Sequence, residues 1–149
     1  MALVNKLLVT DTPAAAILVR VLVGAVFLSE GIQKFLLPAA VGAGRFAKIG
    51  IPSPEFTAPF VGCFEIACGV LLILGLFTRL GAIPLIVIML VAISTTKIPI
   101  LMNEGFWKAA HESRTDWSML LGSIFLLIVG AGPWSLDAWL GANARARSR

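Results

Sequence analysis

The sequence has little charge. Lysine, arginine, aspartate and glutamate together make up 13% of the 149 residues, whereas about a quarter of the residues of a soluble domain are charged. Hydrophobic residues make up 58% of the chain, and its mean hydropathy is +0.95. The polar surface that a water-soluble protein needs is therefore missing, and the composition predicts an all-α, polytopic membrane protein surrounded by lipid.

Residues that bind metals are also scarce. The chain has one histidine, His111, and two cysteines, Cys63 and Cys68. One histidine cannot supply a bis-histidine haem, and no His/Cys cluster suits zinc or an iron–sulfur centre. On a helix the two cysteines lie about 140° apart, on different faces, and we interpret both as buried apolar residues. We expect no metal and no covalently bound cofactor, and we find no P-loop, HExxH or strand-associated GxGxxG motif.

Four apolar segments approach the length of a membrane span, which takes about 20 helical residues. They cover residues 14–37, 56–77, 80–101 and 117–132, and the fourth is short. Prolines and glycines separate the first two segments, Thr78-Arg79 is expected to form a tight turn, and Pro133 follows the fourth. The sequence therefore predicts one domain over 1–149, folded as a four-transmembrane-helix bundle.

Two polar stretches are expected to form short interfacial helices. Met102–Asp116 carries Phe106 and Trp107 among charged residues, and Trp107 is the expected interfacial anchor. After Pro133 a second helix is expected to begin at Ser135, a common N-cap residue.

The basic residues outside the segments favour one orientation only narrowly. One side carries Lys6, Arg79, Arg145, Arg147 and Arg149, and the other carries Arg45, Lys48, Lys108 and Arg114. The dense arginine tail favours cytoplasmic termini in a bacterial inner membrane. That tail fits anionic lipid headgroups better than nucleic acid.

Four charged residues lie inside the predicted spans: Glu30, Lys34, Glu65 and Lys97. With each segment's midpoint at the bilayer centre, they lie about 3 to 12 Å from that centre, all toward the same side. An ionised group in hydrocarbon costs several kcal/mol unless it is paired or hydrated, so each is a candidate functional residue.

Small residues share helix faces with these charges. The first segment carries the stripe Arg20, Gly24, Phe27, Gly31 and Lys34, and the second carries Gly62, Glu65 and Gly69. Such residues let membrane helices approach closely, so these charges should point into the bundle.

A polar pocket that opens to one side is the simplest interpretation. We take Glu65, Glu30 and Lys34 as candidate catalytic residues; the candidate ligand contacts are Lys97, Arg20, Trp117 and His111. His111 lies in a polar stretch and fits a solvated residue better than a proton carrier. A structural alternative also stays open: Glu30 can pair with Lys34 on its own helix, Glu65 can bond Lys97 or Arg20, and the lysines can snorkel.

The motifs resemble those of the DoxX family of small four-helix bacterial membrane proteins, from about Arg20 to Leu140. The matching features are Arg20…Phe27…Gly31-Ile32-Gln33-Lys34, Gly50-Ile51-Pro52, Glu65-(x)3-Gly69, Leu74-Gly75-Leu76-Phe77-Thr78-Arg79 and Gly130-Ala131-Gly132-Pro133-Trp134-Ser135-Leu136-Asp137. The resemblance implies a membrane subunit linked to redox metabolism, because the family name is tied to the small subunit of a thiosulfate–quinone oxidoreductase. The matching positions include Glu65, Lys34 and Arg79, but the resemblance supplies no catalytic set. We expect Glu65 and Lys34 in the pocket and Arg79 at the headgroups.

Three functional hypotheses remain. The first is a subunit of a quinone-linked oxidoreductase with a quinone as ligand, and the second is a non-catalytic anchor for a redox-enzyme partner. The third is a small-molecule transporter. Four helices without a repeat or a broken span argue against a transporter made of one chain. A transporter formed as a homo-oligomer stays possible.

Overall fold

The computed structural model describes residues 13–147. Within that range the chain forms α-helices and one π-helical turn, without strands. In chain order these are α1 (Ala16–Leu36), α2 (Ala43–Lys48), α3 (Pro54–Leu74), α4 (Thr78–Ala92), the π-turn (Ile93–Lys97), α5 (Ile98–Glu104), α6 (Phe106–Val129) and α7 (Leu136–Arg147). The predicted all-α class is confirmed. Lys6 and Arg149, two of the basic residues from which the membrane orientation was predicted, lie outside the described residues.

Three helical rods in the described range are long and apolar enough to cross a membrane: α1, α3 and the continuous rod Thr78–Glu104. The first three predicted spans are therefore confirmed, with bounds shifted by a few residues. The turn between the second and third differs from the prediction, because α4 already begins at Thr78. Gly75 ends α3 instead, in the left-handed conformation (φ 66°) that favours glycine at a helix C-terminus.

Two glycine pairs bring α1 and α3 together as antiparallel neighbours. A Cβ atom on Gly24 would lie 2.8 Å from the carbonyl oxygen of Gly69, and one on Gly31 would lie 2.8 Å from that of Gly62. No side chain larger than hydrogen fits at Gly24, Gly31 or Gly69 without displacing a helix. The predicted small-residue faces therefore form the closest helix contact of the fold.

The two cysteines lie on α3 and are both free. Cys68 is buried, whereas Cys63 is exposed at the surface of the bundle. Their predicted placement on different faces is confirmed. The predicted burial holds for Cys68 only, because the face that carries Cys63 has no neighbouring helix over it.

The third span is not the uninterrupted helix that the sequence led us to expect. Pro99, in the first turn of α5, has no N–H group to donate to a carbonyl one turn earlier, and the π-turn lies directly before it. The hydroxyls of Thr95 and Thr96 instead donate to the carbonyl oxygens of Val91 and Ala92, at 2.8 and 2.6 Å. Such side-chain bonds are how interrupted membrane helices satisfy their backbone. The rod nevertheless runs without a gap from Thr78 to Glu104, so the π-turn is an irregularity within one span.

The polar stretch before the fourth segment does not form a separate interfacial helix. α5 continues to Glu104, and after Gly105 α6 runs unbroken from Phe106 to Val129. Neither glycine nor proline occurs in the first sixteen residues of α6, so nothing in them breaks the helix. An ion pair of 2.8 Å links Lys108 to Glu104 across the break, and its hydrogen bond raises the pKa of Lys108.

At the opposite end of the bundle, Asp137 caps the start of α4. Its Oδ1 accepts the N–H of Phe77 at 2.7 Å and its Oδ2 accepts that of Thr78 at 3.1 Å. The N–H of Asp137 donates in turn to the carbonyl of Gly75 at 2.9 Å. Because the side chain is buried, these bonds tie the α3–α4 turn to α7. We call this group the α7 clasp.

Ser135 is the N-cap of α7, as predicted, since its hydroxyl accepts the N–H of Ala138 at 3.1 Å. Trp134 and Trp139, on either side of this cap, are both exposed. The role of Arg79 as a headgroup anchor stays a prediction. Its guanidinium donates to the carbonyl of Ile128 at 3.2 Å, near the end of α6.

Candidate functional site

A cavity of about 730 Å³ lies between α1, α2, α3, α6 and the rod of α4 and the π-turn. Most of its lining is apolar or aromatic. The charged side chains among the lining residues are Glu30, Lys34, Arg45, Glu65, Lys97 and Asp116. The four charged residues singled out in the predicted spans therefore line one cavity together.

Lys34 and Glu65 form the ion pair in the wall of this cavity. Lys34 Nζ lies 2.6 Å from Glu65 Oε2, and the side chains are only 8% and 4% exposed. A buried pair of this kind costs desolvation energy, and removing one partner leaves the other charge uncompensated. The partner of Glu65 is thus Lys34, rather than Lys97 or Arg20 as the structural alternative supposed.

The antiparallel crossing explains this choice of partner. Lys34 lies about 4.5 Å along α1 on one side of the Gly31–Gly62 contact, and Glu65 lies about 4.5 Å along α3 on the other side. Side chains tilt toward the N-terminus of their own helix. Because α1 and α3 run in opposite directions, the two side chains lean toward each other and meet.

A second ion pair lies across the cavity. Lys97 Nζ, at the end of the π-turn, is 3.3 Å from Asp116 Oδ2 on α6, and both side chains are partly buried. Thr95 and Thr96 line the cavity beside Lys97. The helix interruption and α6 therefore position the second cation, which lies on a different wall from Lys34.

Glu30 lines the cavity one turn before Lys34, but the predicted pairing of their side chains is not formed. Lys34 Nζ approaches only the main-chain oxygen of Glu30, at 3.5 Å. Within residues 13–143, no cation lies within ion-pairing distance of the Glu30 carboxylate. The cavity thus holds one carboxylate in an ion pair with the buried lysine and one outside any described pair.

Three predicted ligand contacts do not line the cavity: Arg20, Trp117 and His111. Arg20 is buried near the other end of the bundle, where it donates to the carbonyls of Ala131 and Trp134, both at 2.7 Å. His111 is exposed on α6, and Trp117 is half exposed beside Asp116. Arg20 therefore binds the segment that follows α6 and lies outside the cavity.

Asp116, Arg45 and the two threonines line the cavity but were not among the site residues predicted from the sequence. Asp116 and Arg45 lie outside the apolar segments, where charges are ordinary. The run Ser94-Thr95-Thr96 inside an apolar span, three residues before Pro99, was the usable indication of an interruption.

Known proteins support a family assignment. The DoxX family model matches residues 15–98, the range that contains Glu30, Lys34, Glu65 and Lys97. A relative from Mycobacterium tuberculosis, named "Uncharacterized membrane protein Rv3486", is 52% identical over 147 residues, which cover 95% of this chain and 90% of the relative. "Putative oxidoreductase CatD" of Bacillus subtilis is 32% identical over 127 residues, covering 83% of this chain and 85% of that protein. No solved structure gives a significant match. The motifs, the membrane-spanning helices and these matches agree, and the chain belongs to the DoxX family of membrane proteins.

Proposed function

We propose that this protein is an integral membrane subunit of a quinone-linked oxidoreductase system, and that the cavity takes the headgroup of a quinone-like molecule. The observation that carries the proposal is the buried Lys34–Glu65 pair in the wall of a cavity whose lining is mostly apolar or aromatic. Ligand sites commonly have such a volume and such a lining, with a few polar groups that fix orientation. The name of CatD, a relative of this chain, also points to redox chemistry.

The residues fit the requirements of such a headgroup. A bound quinone takes up two electrons and two protons to become a quinol; the electrons come from a redox-enzyme partner. Lys34 would donate a hydrogen bond to one ring oxygen, and Glu65 would hold or pass the proton that reaches it. Lys97, on the opposite wall, would orient the second ring oxygen, and its contact with Asp116 at 3.3 Å connects it to α6.

The proposal includes a fourth span. Residues Trp117–Val129 of α6 are apolar, and α6 packs extensively against α4. With α6 inserted to the depth of Trp117, Asp116 reaches the level of Lys97, and four spans leave both termini in the cytoplasm of the bacterial inner membrane. Cysteines placed at Ser53 and at Ser135 should then react with a membrane-impermeant reagent from opposite sides.

The test is quinone binding by purified protein in lipid nanodiscs. Glu65→Gln should abolish binding and quinone-dependent turnover while the protein remains monodisperse. Glu55→Gln is the matched control, because Glu55 is an exposed acid in the first turn of the same helix and does not line the cavity. Turnover by the Glu65→Gln protein at the rate of the control would contradict an essential proton role.

A second candidate function, a non-catalytic anchor for a redox partner, is favoured by two aromatic residues at the start of α6. Trp107 is 84% exposed, and its ring packs edge-on against Phe106, with centroids 5.3 Å apart. If these rings dock a partner, the double variant Phe106→Ser/Trp107→Ser should lose it while quinone binding persists. Co-purification of the partner with that variant would contradict the anchor hypothesis.

A further inference from the structure

One wall of the cavity reaches the outer surface of the helix bundle. Four apolar side chains both line the cavity and are 41 to 54% exposed: Phe60 and Phe64 on α3, and Val87 and Val91 on α4. Side chains that only pack between helices would not be exposed to this extent. These four exposed side chains therefore mark a gap between α3 and α4.

The gap lies at the depth of the hydrocarbon core. Phe64 is the middle residue of α3, which covers Pro54–Leu74, and Val91 is the middle residue of the rod Thr78–Glu104. Both helices span the membrane, so their midpoints lie near the bilayer centre. The gap therefore faces acyl chains rather than headgroups or water.

Packing at one end of the helix pair accounts for the gap. Near the α3–α4 turn, Gly81 lies close enough to Leu72 that an added Cβ would be 3.1 Å from its Cδ1. Over its whole length, α4 packs more extensively on α6 than on α3. The two helices therefore touch near the turn and leave space toward the middle of the membrane.

Aromatic rings continue from this gap along α3. The ring centroids of Phe56 and Phe60 are 5.8 Å apart, and those of Phe60 and Phe64 are 5.0 Å apart. All three rings are exposed on the face beside the gap. They form an apolar row along which a hydrocarbon chain could lie.

The charges that line the cavity indicate which kind of headgroup it can bind. Three cations and three carboxylates line the cavity, so its formal charge is zero. A charged guest would need a counter-charge that this balanced set lacks. A neutral headgroup with hydrogen-bonding oxygens fits without that penalty, since Lys34 and Lys97 can donate to it.

We infer that the gap between α3 and α4 is a lateral portal, through which a neutral amphiphile with a hydrogen-bonding head and one long apolar tail enters from the bilayer. The head reaches the Lys34–Glu65 wall, and the tail remains against the phenylalanine row and the lipid. The inference rests on the proposed function for the chemical identity of the headgroup. It adds the class of ligand, a molecule with one long apolar tail, and its route of entry between α3 and α4.

The test narrows the portal with a bulky side chain. Val91→Trp should fill the gap, while Leu90→Trp is the matched control, because Leu90 is exposed on the same helix but does not line the cavity. The probes are a benzoquinone with a decyl tail and the same benzoquinone without a tail. In nanodiscs, Val91→Trp should slow association of the tailed probe about tenfold or more relative to Leu90→Trp, and it should slow the smaller tail-less probe less. Equal effects of the two tryptophans, or equal effects on the two probes, would overturn the portal.

A second measurement does not depend on quinone binding. A spin label at Val91→Cys, in a protein with Cys63→Ala and Cys68→Ala, should collide more often with oxygen, which dissolves in lipid, than with a water-soluble nickel chelate. More frequent collision with the chelate would mean a hydrated opening and would overturn the portal. If the oxygen result holds but wild-type protein binds neither benzoquinone, the proposed function fails and the lateral opening remains.

Discussion

Lys34 and Glu65 meet across the crossing of two antiparallel helices, with Nζ 2.6 Å from Oε2 and both side chains almost fully buried. The pair lies beside the Gly31–Gly62 contact, where the helix backbones are too close for any larger side chain. Its geometry therefore depends on glycines that carry no chemistry of their own. Because the Lys34–Glu65 pair also lies in the cavity wall, the same ion pair links two helices and forms part of the candidate site.

Breaking this pair from one side should destabilise the bundle more than removing both charges. Lys34→Met leaves the Glu65 carboxylate buried without its cation, which costs about 3 to 5 kcal/mol. The double variant Lys34→Met/Glu65→Leu should recover most of that loss. Chemical unfolding in detergent micelles measures both, with Lys48→Met, at an exposed lysine, as the control. A double variant as unstable as the sum of the single variants would show that the two side chains do not interact.

Filling the glycine crossing should separate α1 from α3. Gly69→Ala places a Cβ 2.8 Å from the Gly24 carbonyl oxygen, and overpacking of this kind costs about 1 to 3 kcal/mol. Ala67→Val adds more volume to an exposed position of the same helix and should be close to neutral. Thermal unfolding compares the two variants. Equal midpoints would mean that the helices can move apart without cost.

Removing the α7 clasp should lower stability without altering ligand affinity. Asp137→Ala leaves the N–H groups of Phe77 and Thr78 without their acceptor, and each buried unsatisfied group costs about 1 to 3 kcal/mol. Asp137→Asn keeps one acceptor oxygen and should be milder. The clasp lies at the end of the bundle opposite the cavity, so folded Asp137→Ala protein should bind the decyl benzoquinone normally. Weaker binding at full occupancy of the folded state would indicate coupling between the two ends.

Restoring a regular third span should weaken ligand binding. Pro99→Ala supplies the missing N–H group, favours an α-helix through residues 93–97, and so rotates Lys97 relative to Asp116. We expect affinity for the decyl benzoquinone to fall about threefold to tenfold while the unfolding midpoint stays the same or rises. Pro59→Ala, within α3, is the control, since Pro59 does not line the cavity. Unchanged affinity would mean that the π-turn does not position Lys97.

Local rules were sufficient for much of this fold. The rise per residue placed Glu30, Lys34, Glu65 and Lys97 at similar depth, and the helical period placed Gly24 and Gly31 on one face. Both quantities are properties of a single helix, so they can be obtained without knowing its neighbours. Ser135 was likewise recognisable as an N-cap, because capping involves only the next three residues.

Contacts between helices were beyond such rules. Glu30 and Lys34 are neighbours on one helix, yet Lys34 pairs with Glu65, because the antiparallel crossing makes the two side chains lean toward each other. The place of Arg20 among the carbonyls that follow α6 also depends on residues more than a hundred positions away.

The amino-acid sequence alone determined that this protein is a helical membrane protein, where its first three spans lie and which charges lie within them, since apolar length, helical period and glycine placement are local properties. Only the tertiary structure decided which charges pair, that the π-turn places Lys97 beside Asp116, and that exposed side chains of α3 and α4 line the cavity. Those outcomes depend on how helices distant in the chain cross and tilt, and the free energy of that packing belongs to no single segment.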